Sequence, residues 1–284
     1  MNYRIIADSS CELPEELNKD KRFEKIPFGM EIDGEHLVDD ETMVISTLLK
    51  KIAQSPKCPK SSCPSPQTFV DSFEKDDAQH IYVFTISSKL SGCYNSAVLA
   101  KSMYEEEGSQ KTEIEKKIFV LDSQSASCGE SQLAMLTMEL EEQGKSFEEI
   151  TEALTAYRDA MRTYFVLDNI ETLRKNGRMS GVKALVASTL NIKPVLFADK
   201  GIIAQAGQAV GIKKALNRMV DHIAKELKDT TKRRIMITHC NNPERAEYVK
   251  KLLIEKTGFE EYVIMAMAGL SSLYANDGGI IVTY

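Results

Sequence analysis

Three stretches of this chain repeat one order: an apolar run of strand length, a polar turn, and a helical pattern. The apolar runs cover residues 3–7, 81–86 and 117–121, and the turns that follow them are rich in serine. Strands that alternate with helices favour a mainly parallel sheet, because a helix must carry the chain back to the start of the next parallel strand. We therefore predict an α/β domain in which helices cover both faces of a parallel sheet.

The pattern changes after Arg162, where a predicted hairpin interrupts the alternation of strands and helices. Two strand patterns flank Asp199-Lys200-Gly201, which predicts an antiparallel hairpin, and helices are predicted over 182–190 and 211–227. We predict a second α/β domain, residues 164–284, with a mixed sheet and helices, after a first domain of residues 1–163. In the first domain a strand over 26–32 is expected to turn back through Asp33-Gly34.

Charge and composition limit the classes of function. The 284 residues carry a formal charge of -6, which disfavours nucleic acid as a partner. No apolar run approaches the roughly 20 residues of a membrane span, and the N-terminus lacks a signal-peptide pattern, so we expect a cytoplasmic protein. The six cysteines are scattered without a CxxC pair, which argues against a metal site.

The serine-rich turn after the second apolar run, residues 87–96, is the first candidate site. Ser91 is predicted as the N-cap of the following helix, with the free amides of Gly92 and its two successors pointing beyond it. A helix N-terminus carries partial positive charge and suits an anion. Since Lys89 is the only cation in this turn, the expected anion is small, a carboxylate before a triphosphate.

A second hydroxyl-rich stretch is predicted as a loop: Lys60-Ser61-Ser62-Cys63-Pro64-Ser65-Pro66. Its Ser65-Pro66 pair is typical of an N-cap and the first helical residue. The alternative is that the serines of both stretches only cap helices and fill turns. Asp8-Ser9-Ser10, after the first apolar run, is open to the same two interpretations, a ligand site at a strand end or a capped turn.

Few residues are arranged for catalysis. The chain has no Walker loop, dinucleotide-binding glycine motif or nucleophile elbow. His239 and Cys240 are neighbours on a predicted strand, where successive side chains point to opposite faces. Asp168, Arg174 and Arg178 concentrate charge near one turn, either as surface ion pairs or as an arginine that reaches the domain interface and helps to hold an anion. These residues favour binding over catalysis.

Several motifs together resemble the DegV family of fatty-acid-binding proteins, which includes the binding subunit of bacterial fatty-acid kinase. The resemblance covers nearly the whole chain, and the number and order of the motifs make it specific. The motifs are Asp8-Ser9-Ser10-Cys11-Glu12-Leu13-Pro14, Ser61-Ser62-Cys63-Pro64-Ser65-Pro66, Ser87-Ser88-Lys89-Leu90-Ser91-Gly92-Cys93-Tyr94-Asn95-Ser96-Ala97, Asp122-Ser123-Gln124-Ser125-Ala126-Ser127, Leu173-Arg174-Lys175-Asn176-Gly177-Arg178-Met179-Ser180, Asn191-Ile192-Lys193-Pro194-Val195-Leu196 and His239-Cys240-Asn241-Asn242-Pro243-Glu244-Arg245-Ala246.

The resemblance implies a two-domain α/β fold that holds a long-chain fatty acid, such as palmitate or stearate, between its domains without another cofactor. It implies that the hydroxyls of Ser61 and Ser91 bind the carboxylate. The residues implied to lie nearby are Ser62, Gly92, Arg174 and Tyr274. It also implies a carrier rather than an enzyme, which presents the acid to a separate fatty-acid kinase for phospholipid synthesis. Transient contact with a membrane is compatible with this role.

Two departures from the family pattern are visible. Tyr274 stands where the family has a histidine close to the carboxylate. Ala209-Val210-Gly211-Ile212 stand where the family has arginines, just before Lys213-Lys214-Ala215. The first departure concerns the outer contacts of the carboxylate, and the second concerns docking of a kinase.

Two other classes of function are alternatives. A serine or cysteine acyl hydrolase would use Ser91 or Cys93 with His239 as base, which requires the base within about 2.6–3.2 Å of the nucleophile. A binder of phosphosugars or nucleotides would use the same helix entrances to hold phosphate.

Overall fold

The computed structural model describes residues 2–108, 116–180, 182, 191–227, 234–259 and 261–284. Apart from Val182, the helix predicted over 182–190 lies outside the described residues. In the described part of the chain no helix is long and apolar enough to cross a membrane. The strands are β1 Tyr3–Asp8, β2 Phe23–Ile26, β3 Gly29–Ile32, β4 Glu35–Val38, β5 Lys60–Ser62, β6 His80–Thr85, β7 Lys117–Asp122, β8 Thr163–Val166, β9 Ile192–Asp199, β10 Ile202–Val210, β11 Ile235–His239, β12 Tyr262–Ala266 and β13 Ile280–Thr283. The helices are α1 Glu15–Asn18, α2 Ile45–Gln54, α3 Pro66–Glu74, α4 Cys93–Gly108, α5 Cys128–Glu142, α6 Phe147–Ala160, α7 Glu171–Lys175, α8 Ile212–Glu226, α9 Pro243–Thr257 and α10 Gly269–Ala275.

Sheet A is parallel throughout, with the strand order β2-β1-β6-β7. Successive side chains point to opposite faces of a strand, so Ile6 and Val83 pack with α3 and α4, whereas Ile5 and Tyr82 pack with α5 and α6. A strand buried on both faces must be apolar throughout, which explains the apolar runs of the sequence. The predicted parallel sheet flanked by helices is confirmed.

Sheet C is mixed, with the order β10-β9-β8-β13-β11-β12. Strands β11 and β12 are parallel and the other pairs are antiparallel. Helices α8 and α9 cover one face, where Met219 and Val249 are fully buried. The other face carries Phe165 and Leu196. The predicted mixed sheet is confirmed, and β9 and β10 form the predicted hairpin.

A third, small antiparallel sheet, sheet B, has the order β4-β3-β5. The prediction of one strand over 26–32 is wrong. Strand β2 ends at Ile26 in sheet A, and β3 begins at Gly29 in sheet B. Pro27, which lies between them, has no N–H to donate to a neighbouring strand. Asp33 and Gly34 both have positive φ, 52° and 86°, as the predicted hairpin turn requires. The predicted loop at 60–66 is also wrong at its start, because β5 pairs with β3 and sets Ser61 opposite Met30.

Side-chain caps fix several helix starts, among them the predicted start at Ser65-Pro66. Ser65 caps α3, Ser146 forms a capping box with Glu149 at α6, and Asn242 caps α9. No pattern in the sequence predicts α10. Its first two amides, of Gly269 and Leu270, each donate to the Asp39 carboxylate at 2.7 Å.

The strands of sheets A and B all lie before residue 123, and those of sheet C lie after residue 162. Helix α5, between the two groups, packs against strands of both sheets A and C. The division of the chain into domains at residue 163 remains our proposal.

Candidate functional site

One cavity lies where the carboxyl ends of the sheet A strands approach sheet C and α10. The empty space within it and in front of its open mouth amounts to about 850 Å³. Ligand sites in α/β proteins form at this end of a parallel sheet. The wall is mostly apolar, with Phe165 and Ile203 from sheet C and Leu270 from α10. The polar residues in the wall are Ser10, Ser61, Ser91, Gln124, Ser125, Thr163, Arg178, Ser271 and Tyr274.

Three hydroxyl groups in this wall, those of Ser61, Ser91 and Tyr274, form what we call the hydroxyl cluster. The Ser61 Oγ and Tyr274 hydroxyl oxygens are 2.8 Å apart and share a hydrogen bond. The segment after Ser61 runs beside the Ser91 turn, because Cys63 Sγ lies 3.9 Å from Ser96 Oγ. The structure therefore brings both serines predicted to bind a carboxylate, and the tyrosine predicted to lie nearby, to one cavity.

Ser91 stands just before α4. The helix begins at Cys93, so the N-cap position is that of Gly92, and Ser91 lies one position before the N-cap that it was predicted to be. Its Oγ still accepts from a free amide of the helix start, that of Cys93, at 3.2 Å. An oxygen that accepts this bond leaves the hydroxyl hydrogen available to donate to a ligand. The N-terminus of α4 adds partial positive charge.

The two arginines of the charged turn are placed differently. Arg178 is half-buried and lines the cavity, where Nε donates to the Leu90 carbonyl at 3.1 Å. Within the described residues it pairs with no carboxylate. Arg174 is instead exposed, pairs with Glu171 at 2.7 Å and does not line the cavity. The family resemblance implies Arg174 near the carboxylate, whereas the structure places Arg178 in the cavity wall.

Ser62 and Gly92, also predicted to lie nearby, are both exposed and do not line the cavity. The strand alternation of β5 turns Ser62 away from Ser61. Its Oγ lies over Gly29, where an added Cβ would come within 2.5 Å of it. Gly92 instead faces Cys63 Sγ. Neither Ser62 nor Gly92 therefore contributes to the cavity wall.

Sequence reasoning missed three hydroxyls of the wall: Ser125, Thr163 and Ser271. Ser125 belongs to a predicted serine-rich turn, which was an available signal. Thr163 stands at the predicted domain boundary and Ser271 on the unpredicted α10, so only the three-dimensional arrangement identifies them.

An acidic cluster, which we define as Asp8, Glu12 and Glu130, lies buried behind the cavity wall. Ser10 links two of its members, because Ser10 Oγ is 2.7 Å from Asp8 Oδ1 and 2.5 Å from Glu130 Oε1. The Ser10 hydroxyl has a single hydrogen for these two carboxyl oxygens. Asp8 also accepts from the amides of Ile86 at 2.7 Å and Ser10 at 3.0 Å.

Burial raises the pKa values of all three carboxyls in this cluster. Desolvation, followed by the charge of Asp8, raises the pKa of Glu130 well above its ordinary range. Desolvation also raises the pKa of Asp8, against hydrogen bonds from Ile86 and Ser10. Desolvation raises the pKa of Glu12 to about 7, although Ser127 Oγ donates to it at 2.6 Å and the Ala268 amide at 3.1 Å. The cluster joins the start of the chain to α5 and α10.

The residues of the hydrolase alternative do not meet. His239 Nδ1 accepts from the Asn242 amide at 3.2 Å, and in the described residues no hydrogen bond joins it to Ser91 or Cys93. Cys93 is fully buried, and desolvation raises the pKa of its thiol well above the ordinary value. A catalytic cysteine requires a lowered thiol pKa, so this environment opposes the role.

The described residues contain no group of three or more His, Cys, Asp or Glu side chains that could hold a metal ion. The chemistry that the cavity offers is therefore hydrogen bonding from neutral donors, one guanidinium and an apolar wall.

This chain is similar to known proteins in sequence and in fold. A DegV domain-containing protein of Streptococcus pyogenes serotype M18 is 36% identical over 290 residues, which cover 100% of this chain and 99% of that protein. The crystal structure of a DegV family protein from Ruminococcus gnavus, refined with vaccenic acid, is 44% identical with a TM-score of 0.95, over 100% of this chain and 99% of that one. The Streptococcus pneumoniae fatty acid kinase (Fak) B3 protein, loaded with linoleic acid, is 32% identical with a TM-score of 0.89, over the same shares of the two chains.

A family model described as "Uncharacterised protein, DegV family" matches residues 2–283. The match spans all three sheets and includes every residue of the hydroxyl cluster. This chain belongs to the DegV family.

Proposed function

We propose that this chain binds one long-chain fatty acid in the cavity, with its carboxylate on the hydroxyls of Ser61 and Ser91. The observation that carries the proposal is the union, in one cavity, of an apolar wall with hydroxyl donors beside a helix N-terminus. The fatty acids held by the Ruminococcus gnavus and Streptococcus pneumoniae relatives support it.

The tail and the carboxylate head of the fatty acid contribute differently to the free energy of binding. About 14 buried methylenes contribute roughly 11 kcal/mol gross, at about 0.8 kcal/mol each, while association costs roughly 4–15 kcal/mol. A hydrogen bond to a charged group contributes about 1.5–3 kcal/mol. The tail therefore supplies most of the affinity, and the hydroxyl cluster sets the orientation and selects a carboxylate head.

Two further residues complete the proposed head-group site. Tyr274 adds a third hydroxyl through its bond to Ser61, at the place where the family has a histidine. Arg178 lies in the wall with only carbonyl partners among the described residues, so its charge is available to a carboxylate. We propose that Arg178, rather than Arg174, is the arginine that helps to hold the carboxylate.

We propose further that the chain is a carrier in the cytoplasm, presenting the acid to a separate kinase that uses ATP for phospholipid synthesis. The similarity to the Fak B3 protein supports this role. Around the departure at 209–212, Val210 is exposed and Gly211 precedes α8 with a φ of 82°. Formation of an acyl phosphate from the loaded protein, ATP and a fatty-acid kinase subunit would test the partnership.

The first test is calorimetry of stearate binding to a variant with both Ser61→Ala and Ser91→Ala. Loss of two hydrogen bonds to a charged group is expected to weaken binding about 100-fold. Ser62→Ala is the matched control, because it removes the neighbouring hydroxyl outside the cavity. Unchanged affinity in the double variant would remove both serines from the site, and absence of any fatty acid binding by the wild type would refute the function.

A further inference from the structure

The turn that carries Ser91 is folded around one residue, Ser87. Ser87 is fully buried, and its carbonyl oxygen accepts from the Leu90 amide at 2.9 Å and from the Ser91 amide at 3.1 Å. Its Oγ accepts from the Lys89 amide at 3.1 Å. Three successive amides of the turn therefore end on Ser87, which fixes the place of Ser91 before α4.

The hydroxyl of Ser87 also reaches sheet C. It donates its hydrogen to the Gly201 carbonyl at 2.8 Å, and Gly201 lies at the tip of the β9–β10 hairpin. Because this hydroxyl donates to the hairpin and accepts from the Lys89 amide, it links the hairpin directly to the Ser91 turn. Gly201 lines the cavity but Ser87 does not, so Ser87 would act on a ligand only through its neighbours.

The hairpin tip is shaped for this close contact. Lys200 and Gly201 both have positive φ, 47° and 84°, as a tight two-residue hairpin turn requires. A Cβ on Gly201 would come within 2.4 Å of Ser87 Oγ and 3.4 Å of the Gln124 Cα. Glycine therefore allows the hairpin backbone to rest directly on the polar turns that follow β6 and β7.

A second contact joins the same turn to residues that come after residue 162. Arg178 Nε donates to the Leu90 carbonyl at 3.1 Å. The turn is thus held at Ser87 and at Leu90, and Ser91 follows directly after the second of these points. Ser61, by contrast, belongs to sheet B, so the two serines of the hydroxyl cluster are held by different parts of the chain.

We propose that Ser87 is a positioning residue for carboxylate binding. Through its bond to Gly201, the β9–β10 hairpin of sheet C holds Ser91 in place for the head group. The inference rests on the proposed function. Without the Ser87 hydroxyl, the Gly201 carbonyl and the Lys89 amide lose a partner, and an unmet buried hydrogen bond carries a cost that the turn relieves by shifting.

The test is a double-mutant cycle measured by calorimetry of stearate binding. Ser87→Ala is expected to weaken binding about fivefold, since a shifted Ser91 loses part of one hydrogen bond to a charged group. In a Ser91→Ala background the same substitution is expected to have no effect, because its influence passes through Ser91. Gly201→Ala, whose Cβ would displace Ser87 Oγ, should weaken binding in the same way and only when Ser91 is present.

Two matched controls separate this role from general damage to the fold. Ser88→Ala removes a hydroxyl of the same turn that donates to Asp122 rather than to the hairpin, and should leave affinity unchanged. Gly34→Ala imposes a similar unfavourable φ on another hairpin turn, where the space around the glycine is open. It should lower the free energy of unfolding without changing affinity.

The outcomes distinguish the inference from the proposed function. If folded Ser87→Ala protein binds stearate as the wild type does, or loses affinity equally with and without Ser91, the inference fails while fatty acid binding stands. Should Ser87→Ala not fold, the same two outcomes for Gly201→Ala decide the question. If the wild type binds no long-chain acid, the proposed function fails as well.

Discussion

The hydroxyl cluster and the acidic cluster are built from similar sequence but behave differently. Both draw on polar residues near the ends of strands, and Ser10 and Ser61 line the same cavity. Members of the hydroxyl cluster are half-buried, and Ser91 keeps its hydrogen for a ligand. The acidic cluster is fully enclosed, and its carboxyls accept from Ser10, Ser127 and several amides. Oε2 of Glu130 has no hydrogen-bond partner among the described residues.

The difference teaches that the supply of free donors decides which polar turn can hold an anion. A buried carboxyl consumes donors and repels a second negative charge, so it serves to join segments of the chain. A neutral hydroxyl at a helix start can accept from a backbone amide and still donate its hydrogen to a ligand. Substitutions of Glu12, Tyr274 and Arg178 test this difference.

The largest expected effect is on the pH dependence of protein stability, and it comes from Glu12 in the acidic cluster. The pKa of Glu12 is about 7 in the folded protein, against an ordinary value of 4.5. Between these values the folded state holds a proton that the unfolded state releases, so the free energy of unfolding falls as the pH rises from about 4.5 to 7. The contribution of Glu12 to this fall is about 3 kcal/mol.

Glu12→Gln should remove that part of the pH dependence, measured by urea unfolding at several pH values. Glu16→Gln, at an exposed position of α1, is the control and should retain the wild-type profile. If Glu12→Gln shows the same fall as the wild type, the proton is held elsewhere and the assignment to Glu12 is wrong.

A smaller effect is expected in the hydroxyl cluster. Tyr274→Phe removes the hydroxyl bonded to Ser61 but keeps the ring. Loss of one hydrogen bond to a carboxylate, about 1.5 kcal/mol, should weaken stearate binding about tenfold. Tyr94→Phe makes the same change outside the cavity and should have no effect on calorimetric affinity. Equal affinity of the Tyr274 variant and wild type would limit Tyr274 to supporting Ser61.

The smallest effect is expected for the arginines. Arg178→Gln should weaken stearate binding about fivefold at low salt, and less at high salt because ions screen a partly exposed charge. Arg178→Lys keeps the charge and should retain most of the affinity. Arg174→Gln removes an exposed partner of Glu171 and should change nothing. Equal losses in the Arg174 and Arg178 variants would show that long-range charge, rather than position, is responsible.

The sequence predicts the parts of this molecule that local patterns determine. Apolar runs buried on both faces identify sheet A, and the capping box at Ser146 marks the start of α6. The strand β5 has only three residues, and α10 has its first amides bonded to Asp39, about 230 positions earlier, so tertiary contacts define both. No window of sequence contains that information.

The choice between the two arginines shows the same limit. Helix α7 ends at Lys175, and Gly177, with a φ of 73°, reverses the chain so that the Arg178 amide donates to the Leu173 carbonyl. This Schellman-type end turns Arg178 into the cavity and leaves Arg174 on the surface. The glycine was a visible signal for the helix end, but the direction of the next side chain depends on where the helix sits.

The attachment of α10 to sheet B has a mechanical consequence. Ser61 is paired with Met30 in sheet B, and Asp39, whose amide donates to the Phe28 carbonyl, holds the first amides of α10. Ser61 and Tyr274 are therefore connected through Asp39 and sheet B as well as through their shared hydrogen bond. The position of Tyr274 relative to Ser61 therefore depends on the carboxylate of Asp39, a residue outside the cavity wall.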